Sequence, residues 1–289
     1  MNNILDIKRL GLVFRKDILE GRKRYALMFL TMLGIIAVML TGNYWDYYYG
    51  VEKADLHDVK PYVNPYFNRN ILSYLSLMFG GFGLIFASTF ANPMNSKLKK
   101  ISYLVSPSSN FEKYLTRWII VTVAYIISFF IAMWIADALR VAICSVRFPN
   151  LDIAFVDLTK LVHPGNYKYQ DGYFFSKEVF IVYISVYFLF QSFFVLGSTF
   201  WEKSSFIKTF TAMALIVLVY ILICRWAILL FYGELDAFGN VMDSFEPDKI
   251  DFEKEKNAII AACVISIFTL TNWVFTFFRF RESEIIKRL

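Results

Sequence analysis

The chain has 289 residues, of which 57% are hydrophobic and 19% are charged. A soluble domain has about 45–50% apolar and about 25% charged residues, so this composition argues against an ordinary soluble protein. The net charge of +6 could suggest a nucleic-acid partner, but the charges segregate by loop, which indicates membrane topology instead. We therefore expect an integral membrane protein that lies in a lipid bilayer and has no nucleic-acid partner.

The N-terminal segment, residues 1–24, is basic and carries apolar residues with a helical period. Four of them lie near one helical face: Ile7, Leu10, Phe14 and Ile18. This pattern predicts a cytoplasmic amphipathic helix in the membrane interface, although a basic leader that only sets topology is the alternative. The first apolar run begins at Tyr25 and no small-residue cleavage site follows it, so we expect no cleaved signal peptide.

Six apolar segments follow, and each is close to the ~20 residues that cross a bilayer as a helix. Backbone groups in lipid must pair within their own segment, so each segment is expected to be helical. We predict an all-α integral membrane protein with one six-span domain over residues 25–289. The predicted spans cover about residues 25–45, 71–92, 117–137, 179–201, 209–232 and 257–278.

Lys and Arg residues concentrate in alternate loops. The N-terminal tail, the loop between spans two and three, the turn between spans four and five and the C-terminal tail hold 18 of the 30 basic residues but 7 of the 24 acidic ones. The positive-inside rule therefore places both termini in the cytoplasm. The turn over residues 202–208 is short, which predicts that spans four and five are antiparallel neighbours.

Two local patterns carry structural predictions. Gly80, Gly81 and Gly83 in span two permit close helix packing or a kink, and packing is the interpretation we adopt. The aromatic cluster at residues 44–49, just past span one, is typical of a belt at the headgroup level. A patch that stacks on a ligand is the alternative for this cluster.

Several sequence motifs that indicate catalysis or metal binding are absent from the chain. There is no G-x-x-x-x-G-K-[ST] phosphate-binding loop, no H-E-x-x-H and no G-x-S-x-G. No histidine and no pair of carboxylates lies inside a span, and the three cysteines form no C-x-x-C pair. We therefore expect that this chain is not an enzyme and that it holds no metal or cofactor.

Arg225 is the one ionisable residue well inside an apolar run, and such residues are functional candidates. It lies in the outer half of span five, roughly 9–12 Å from the outer end at ~1.5 Å per residue. Its side chain can reach the acidic outer face, where Glu234 and Asp236 are candidate partners. Snorkelling, a structural ion pair and a role in a substrate path all remain open.

The loop between spans two and three, residues 92–117, is basic and long enough to fold. Pro93 marks the end of span two, and Pro107 ends any helix over residues 96–104. Such a helix would lie parallel to the bilayer, with its lysines near anionic headgroups. These lysines are Lys97, Lys99 and Lys100. This helix either docks a cytoplasmic partner or only fixes the topology, and the spacing of its residues is compatible with both interpretations.

The second half of the same loop carries a helix start. Ser109 and Glu112 match the S-x-x-E capping box, in which each side chain satisfies a backbone amide at the first turn. We therefore predict that span three begins as a helix in the cytoplasm, at about Asn110, and continues into the membrane.

Two stretches resemble the membrane subunit of ABC-2 type transporters, within a family of small bacterial six-span permease-like proteins. Residues 100–114, KISYLVSPSSNFEKY, resemble the YL-x-x-P-x-S-x-x-EK stretch of that family. Residues 197–209, GSTFWEKSSFIKT, resemble its short turn before span five. The family has an elbow helix, six spans, cytoplasmic termini and a coupling helix between spans two and three. This chain departs from it in the acidic external loop between spans five and six, which shows no clear re-entrant helix pair.

The resemblance implies a permease subunit of an ABC-type exporter in the bacterial cytoplasmic (inner) membrane. Residues 4–19 would be the elbow helix, and residues 96–104 would be the coupling helix, seated in a separate ATPase subunit that binds ATP. The residues implied in coupling are Lys97, Lys99, Lys100, Tyr103 and Glu112. The permease would be a homodimer, or a heterodimer with a related permease. The alternative is a non-transport polytopic membrane protein: an assembly, sensor or scaffold subunit of an envelope complex.

Overall fold

The computed structural model describes residues 5–53, 65–92, 103, 107–151, 153–157, 177–201, 203–232 and 255–285. Within these residues the fold is all-helical, as predicted. The helices are α1 (Ile7–Lys53), α2 (Pro65–Ala87), α3 (Asn110–Ile119), a π-helical turn (Ile120–Ala124), α4 (Tyr125–Arg147), α5 (Lys177–Phe200), α6 (Ser205–Tyr232) and α7 (Glu255–Ile285).

In the described part of the chain, six helical segments are long and apolar enough to cross a membrane. They are Ile7–Lys53, Arg69–Ala87, Asn110–Arg147, Lys177–Phe200, Ser205–Ile223 and Asn257–Glu282. Many large apolar side chains point outward from them, among them Val38, Leu77 and Val146, which are at least 75% exposed. Such a surface is compatible with lipid and not with water, so the architecture fits a multi-pass membrane protein.

Helix α1 runs without interruption from Ile7 to Lys53. The residues predicted as a separate interfacial helix before residue 25 are therefore continuous with those predicted as the first span. At 47 residues the helix is about 70 Å long, more than twice the ~30 Å thickness of a hydrocarbon core. Gly11 and Gly21 do not interrupt helix α1, which extends well beyond the uncharged residues 25–45.

Helix α2 ends at Ala87, earlier than the predicted end of the second span at about residue 92. Two hydroxyl groups bond to the backbone at this helix end. Ser88 Oγ donates to the carbonyl of Ile85, and Thr89 Oγ1 donates to the carbonyl of Phe86. Beyond Ala87 the backbone amides of Thr89 and Phe90 donate to carbonyls three residues earlier, so the regular α-helix ends and tighter turns follow over residues 88–92.

Contacts between helices show that consecutive spans alternate in direction. Helices α1 and α3–α4 run parallel, since Arg9 meets Glu112 near one end and Tyr48 meets Arg140 near the other. Phe280 of α7 packs near the first of these ends, against Tyr103. Both described chain ends therefore lie at the same end of the bundle, as alternating spans require. We call it the basic end, defined by Arg9, Glu112 and Phe280.

The apolar core consists of two clusters. The larger joins α1, α2, α4 and α5 around Met32, Ile36 and Tyr125. The smaller lies at the basic end and joins α2, α3, α5 and α7 around Phe90 and Phe194. Helices α6 and α7 both pack mainly against α5, and the contact of α7 is the more extensive. Phe194 stacks on Phe206 of α6, so spans four and five are neighbours where the short turn joins them.

The glycines of α2 differ in their surroundings. A Cβ atom at Gly83 would overlap the ring of Tyr187 on α5, whereas Gly80 and Gly81 face open space. The packing prediction therefore holds for Gly83 alone. The absence of a side chain there lets α2 and α5 approach closely, as small residues do in membrane helix interfaces.

Replacing Gly83 by Ala is expected to lower the stability by about 1–3 kcal/mol, because Tyr187 must move out of a packed interface. Thermal unfolding of the detergent-purified protein measures this effect. Gly80→Ala is the matched control and should be neutral or slightly stabilising, since nothing stands within 4 Å of its added methyl group. Equal effects of both substitutions would contradict the assigned close contact.

Candidate functional site

The start of α3 is tied to the start of α1 through Glu112, whose side chain is fully buried. The predicted capping box is present: Ser109 Oγ accepts from the amide of Glu112, and Glu112 Oε2 accepts from the amide of Ser109. The other oxygen, Oε1, accepts from the amide of Asp6 at 2.8 Å and lies 3.3 Å from Nη2 of Arg9. One carboxylate therefore fixes the helix start and also holds the beginning of α1.

A buried ion pair joins the same two helices farther along. Nε of Arg117 lies 2.9 Å from Oδ2 of Asp17, and both side chains are almost fully buried. The two groups are in ion contact without the alignment of a hydrogen bond, and Asp17 Oδ1 has no hydrogen-bond partner. Arg117 Nη1 also donates to Tyr25 Oη at 3.1 Å. We call the set of Asp6, Arg9, Asp17, Glu112 and Arg117 the α1–α3 junction.

Tyr103 packs inside the basic end and not on its surface. Its hydroxyl donates to the carbonyl of Lys113 at 3.3 Å, and its ring lies beneath the cationic groups of Lys113 and Arg117. Tyr103 and Glu112 were both implied in contact with an ATPase. Both side chains are buried in this structure and contact the first turns of α3, and their role in coupling stays a prediction. The remaining coupling residues, Lys97, Lys99 and Lys100, lie outside the described residues.

Arg225 lies on α6 with an exposed side chain, beside exposed Trp226. The side chains described around it are apolar and point outward. Its predicted partners Glu234 and Asp236 lie outside the described residues. The structure therefore places Arg225 on an outward face of the bundle and does not bring it together with the α1–α3 junction.

A second polar cluster lies at the opposite end of the bundle and was missed from the sequence. Arg140, which is fully buried, donates from Nε to Oδ1 of Asp137 at 2.7 Å and from Nη2 to the carbonyl of Ala154 at 2.6 Å. Its guanidinium lies 3.9 Å from the ring centroid of Tyr44 and its Nη1 donates to Tyr48. We call these residues the Arg140 cluster.

The Arg140 cluster fastens three parts of the chain together. Asp137 Oδ2 accepts from the amide of Val156 at 2.8 Å, so the segment after α4 is held by both charged groups. Tyr44 and Tyr48 are enclosed by protein, so the expectation of membrane-interface anchoring is wrong for these two rings. Asp137 and Arg140 stand three residues apart directly after an uncharged run, and this spacing is the signal that would have indicated an ion pair.

A third set of polar contacts crosses the middle of the bundle. Gln191 of α5 donates from Nε2 to the carbonyl of Val121 and to Thr122 Oγ1, both in the π-helical turn. Asn272 Nδ2 of α7 donates to Ser192 Oγ at 2.9 Å. The π-helical turn releases backbone carbonyls from their usual helical partners, and here one of them receives a side-chain donor. These contacts link α3–α4 to α5 and α7.

The described residues contain no group of three or more His, Cys, Asp or Glu side chains that could hold a metal ion. The charged groups of the α1–α3 junction are engaged with one another and join the two helices. Comparisons with protein-family models, curated proteins and solved structures find no match to this chain.

Asp17 and Arg117 are expected to depend on each other for stability. Asp17→Asn leaves the guanidinium buried without a carboxylate and should lower the unfolding free energy by roughly 3–5 kcal/mol. Arg117→Leu should cost a similar amount. The double variant should lose clearly less than the sum, because no buried charge then lacks its partner. Unfolding in mixed detergent micelles measures all three.

The control for this cycle is the exposed pair Lys16 and Glu20 on the same helix, 3.8 Å apart. Neutralising both with Gln should change stability by less than about 1 kcal/mol. Strictly additive losses for Asp17 and Arg117 would show that the two side chains do not stabilise each other.

Arg140→Met is expected to release the segment after α4. It should also destabilise the protein by about 3–5 kcal/mol, because the buried carboxylate of Asp137 then lacks its charged partner. Cys144 is buried beside this cluster, so its rate of modification by a small maleimide reports the opening. Arg147→Met is the matched control, because Arg147 is half exposed and only 3.7 Å from Glu52 in a surface pair. Equal labelling of Cys144 in both variants would refute the fastening role.

Proposed function

We propose that this chain is the membrane-spanning permease subunit of an ABC-type exporter in the bacterial inner membrane, coupled to a separate ATPase subunit. The observation that carries the proposal is the α1–α3 junction. It joins the start of α1 to the start of α3 directly after the basic loop that contains Lys97, Lys99 and Lys100. A partner that moves this loop would move both helices as one unit.

The length of the joined helices supports this mechanism. Helix α1 continues for 18 residues ahead of its uncharged run, and α3 begins eight residues ahead of its own. Both therefore reach beyond the hydrocarbon core at the basic end. Because a helix resists bending and the junction is buried, displacement at this end passes along both helices into the membrane.

The π-helical turn offers a place where that displacement can change the bundle. It follows Arg117 by three residues and contacts α5 through Gln191. A π-helical turn interrupts the regular backbone ladder, and such interruptions often accompany functional positions in helices. Rotation of α3 would thus be passed through Val121 and Thr122 to α5. We propose this route as the coupling between the ATPase side and the transport path.

Dimerisation completes the proposal, since a single six-span subunit would supply half of the path. Helix α6 supports this step, because most of its described side chains are exposed, including every one from Ala214 to Ile223, and its main packing is against α5. A second copy, or a related permease, would cover part of that surface. Arg225 lies on the same helix and would then be brought near the interface.

The proposal predicts that an ABC ATPase co-purifies with the tagged chain from its native membrane. Replacing Lys97, Lys99 and Lys100 together by Glu should abolish this association, because it reverses the charge of the proposed docking helix. Quantitative mass spectrometry of the purified complex is the measurement. Lys203→Glu with Lys208→Glu is the matched control, since both residues are exposed at the same end of the bundle.

If an ABC ATPase is recovered equally well with the triple Lys-to-Glu variant, the docking assignment is wrong. The assignment of the chain to an exporter would not be affected by that result. Consistent absence of an ABC ATPase, with envelope proteins recovered instead, would favour a non-transport assembly, sensor or scaffold subunit. The double variant Asp17→Asn, Arg117→Leu separates docking from coupling. It should retain the ATPase but lose the dependence of ATP hydrolysis on the assembled permease.

A further inference from the structure

A cavity of about 310 Å³ lies between α1, α2, the π-helical turn and the start of α4. Tyr25, Ala26 and Phe29 line it from α1, and Ile120 and Ala124 line it from the turn. Ala26 is exposed, so the cavity opens onto the outer surface of the bundle. This volume lies at the lower limit of the range of about 300–1,000 Å³ that is typical of small-molecule sites.

The three hydroxyl groups around this cavity are engaged with protein. Tyr25 Oη accepts from Arg117, Tyr125 Oη donates to the carbonyl of Phe79, and Ser128 Oγ donates to the carbonyl of Tyr125. The cavity therefore presents an almost entirely apolar lining. Apolar cavities of this kind do not hold ordered water, which needs several polar partners, and they accept hydrocarbon instead.

The cavity lies at the boundary between charged and uncharged sequence. The uncharged run of α1 starts at Tyr25, directly after the basic residues Arg22, Lys23 and Arg24. Basic residues at such a boundary lie at the level of lipid headgroups, and the residues after them lie beside acyl chains. The cavity is thus open at the depth where the upper part of an acyl chain is found.

Arg24 directly precedes Tyr25 in the sequence, and its guanidinium lies over the ring of that residue. Its guanidinium carbon lies 5.6 Å from the ring centroid of Tyr25, which forms part of the cavity wall. Its Nε is buried without a hydrogen-bond partner in the described part of the chain. The side chain as a whole is only partly buried, so the guanidinium remains open to an anionic acceptor from the membrane, and a phosphate suits it well.

We propose that this cavity binds one acyl chain of an anionic glycerophospholipid whose phosphate accepts hydrogen bonds from Arg24. The apolar lining takes the acyl chain, the depth matches the glycerol level, and the partly exposed guanidinium of Arg24 supplies the donor for the headgroup. The site joins α1 to the π-helical turn through a lipid and does not depend on the assignment of the chain to an exporter.

The test uses nanodiscs of phosphatidylcholine that contain a small fraction of phosphatidylglycerol with a photoreactive acyl chain. Illumination should label residues 25–29 and 120–128, identified by mass spectrometry of the digested protein. Phosphatidylcholine with the same photoreactive chain should label these residues several-fold less. Equal labelling by the two lipids would overturn the role of the anionic headgroup.

Two variants separate the headgroup from the chain. Arg24→Gln should reduce labelling by phosphatidylglycerol about fivefold, as expected for the loss of one cation at the membrane surface. Ala124→Phe should remove the labelling, because its ring fills the cavity. Ala26→Phe, at the exposed rim, should act in the same direction with less risk to folding, which size-exclusion chromatography checks.

The matched controls are Lys23→Gln, an exposed neighbouring cation, and Ala214→Phe, an exposed position on α6. Neither should alter labelling of the cavity residues. If Lys23→Gln reduces labelling as much as Arg24→Gln, the effect is general surface attraction and the assigned contact is wrong. If both cavity-filling variants fold and label as the wild type does, the cavity does not hold the chain.

Discussion

The buried ion contact between Asp17 and Arg117 is the constraint on which the basic end of this bundle depends. Each charge is removed from solvent, and each is tolerated because the other lies 2.9 Å away. The contact sets the register between α1 and α3, since sliding either helix by one turn would leave both charges buried and separated. Glu112, which precedes Arg117 in α3, supports the same register. Its carboxylate accepts hydrogen bonds from the capping residue of α3 and from Asp6 at the start of α1.

Buried charges are paired in different ways at the two ends of the bundle. At the basic end, charges from two helices meet and join elements that are distant in sequence. At the opposite end, Asp137 and Arg140 come from one helix. Their other polar atoms form hydrogen bonds with the backbone of Ala154 and Val156. Between them, Gln191 and the π-helical turn provide neutral polar contacts in the apolar interior. The middle is therefore the part in which helices can shift at the lowest electrostatic cost.

The sequence predicts the helical class, the number of spans, their alternation and the start of α3, because hydropathy, charge and capping act locally. It does not predict which side chains meet across helices. Nothing in the sequence marks Arg140 as buried, yet its side chain is fully enclosed, and Tyr44 packs on that charge although the sequence places it at the headgroup level. The absence of a break at Tyr25 was also unforeseen, since a change from basic to apolar residues alters the surroundings of a helix without altering its backbone preference.

The spacing of the two buried ion pairs along the chain has a consequence for biogenesis. Asp137 and Arg140 are three residues apart, so the pair forms as soon as α4 is helical, and the segment enters the membrane with its charges already neutralised. Asp17 must wait for Arg117, one hundred residues later, before its carboxylate is matched. A chain whose synthesis stops early would thus carry an unmatched acid on α1, a mark by which quality-control proteases could distinguish unfinished from completed molecules.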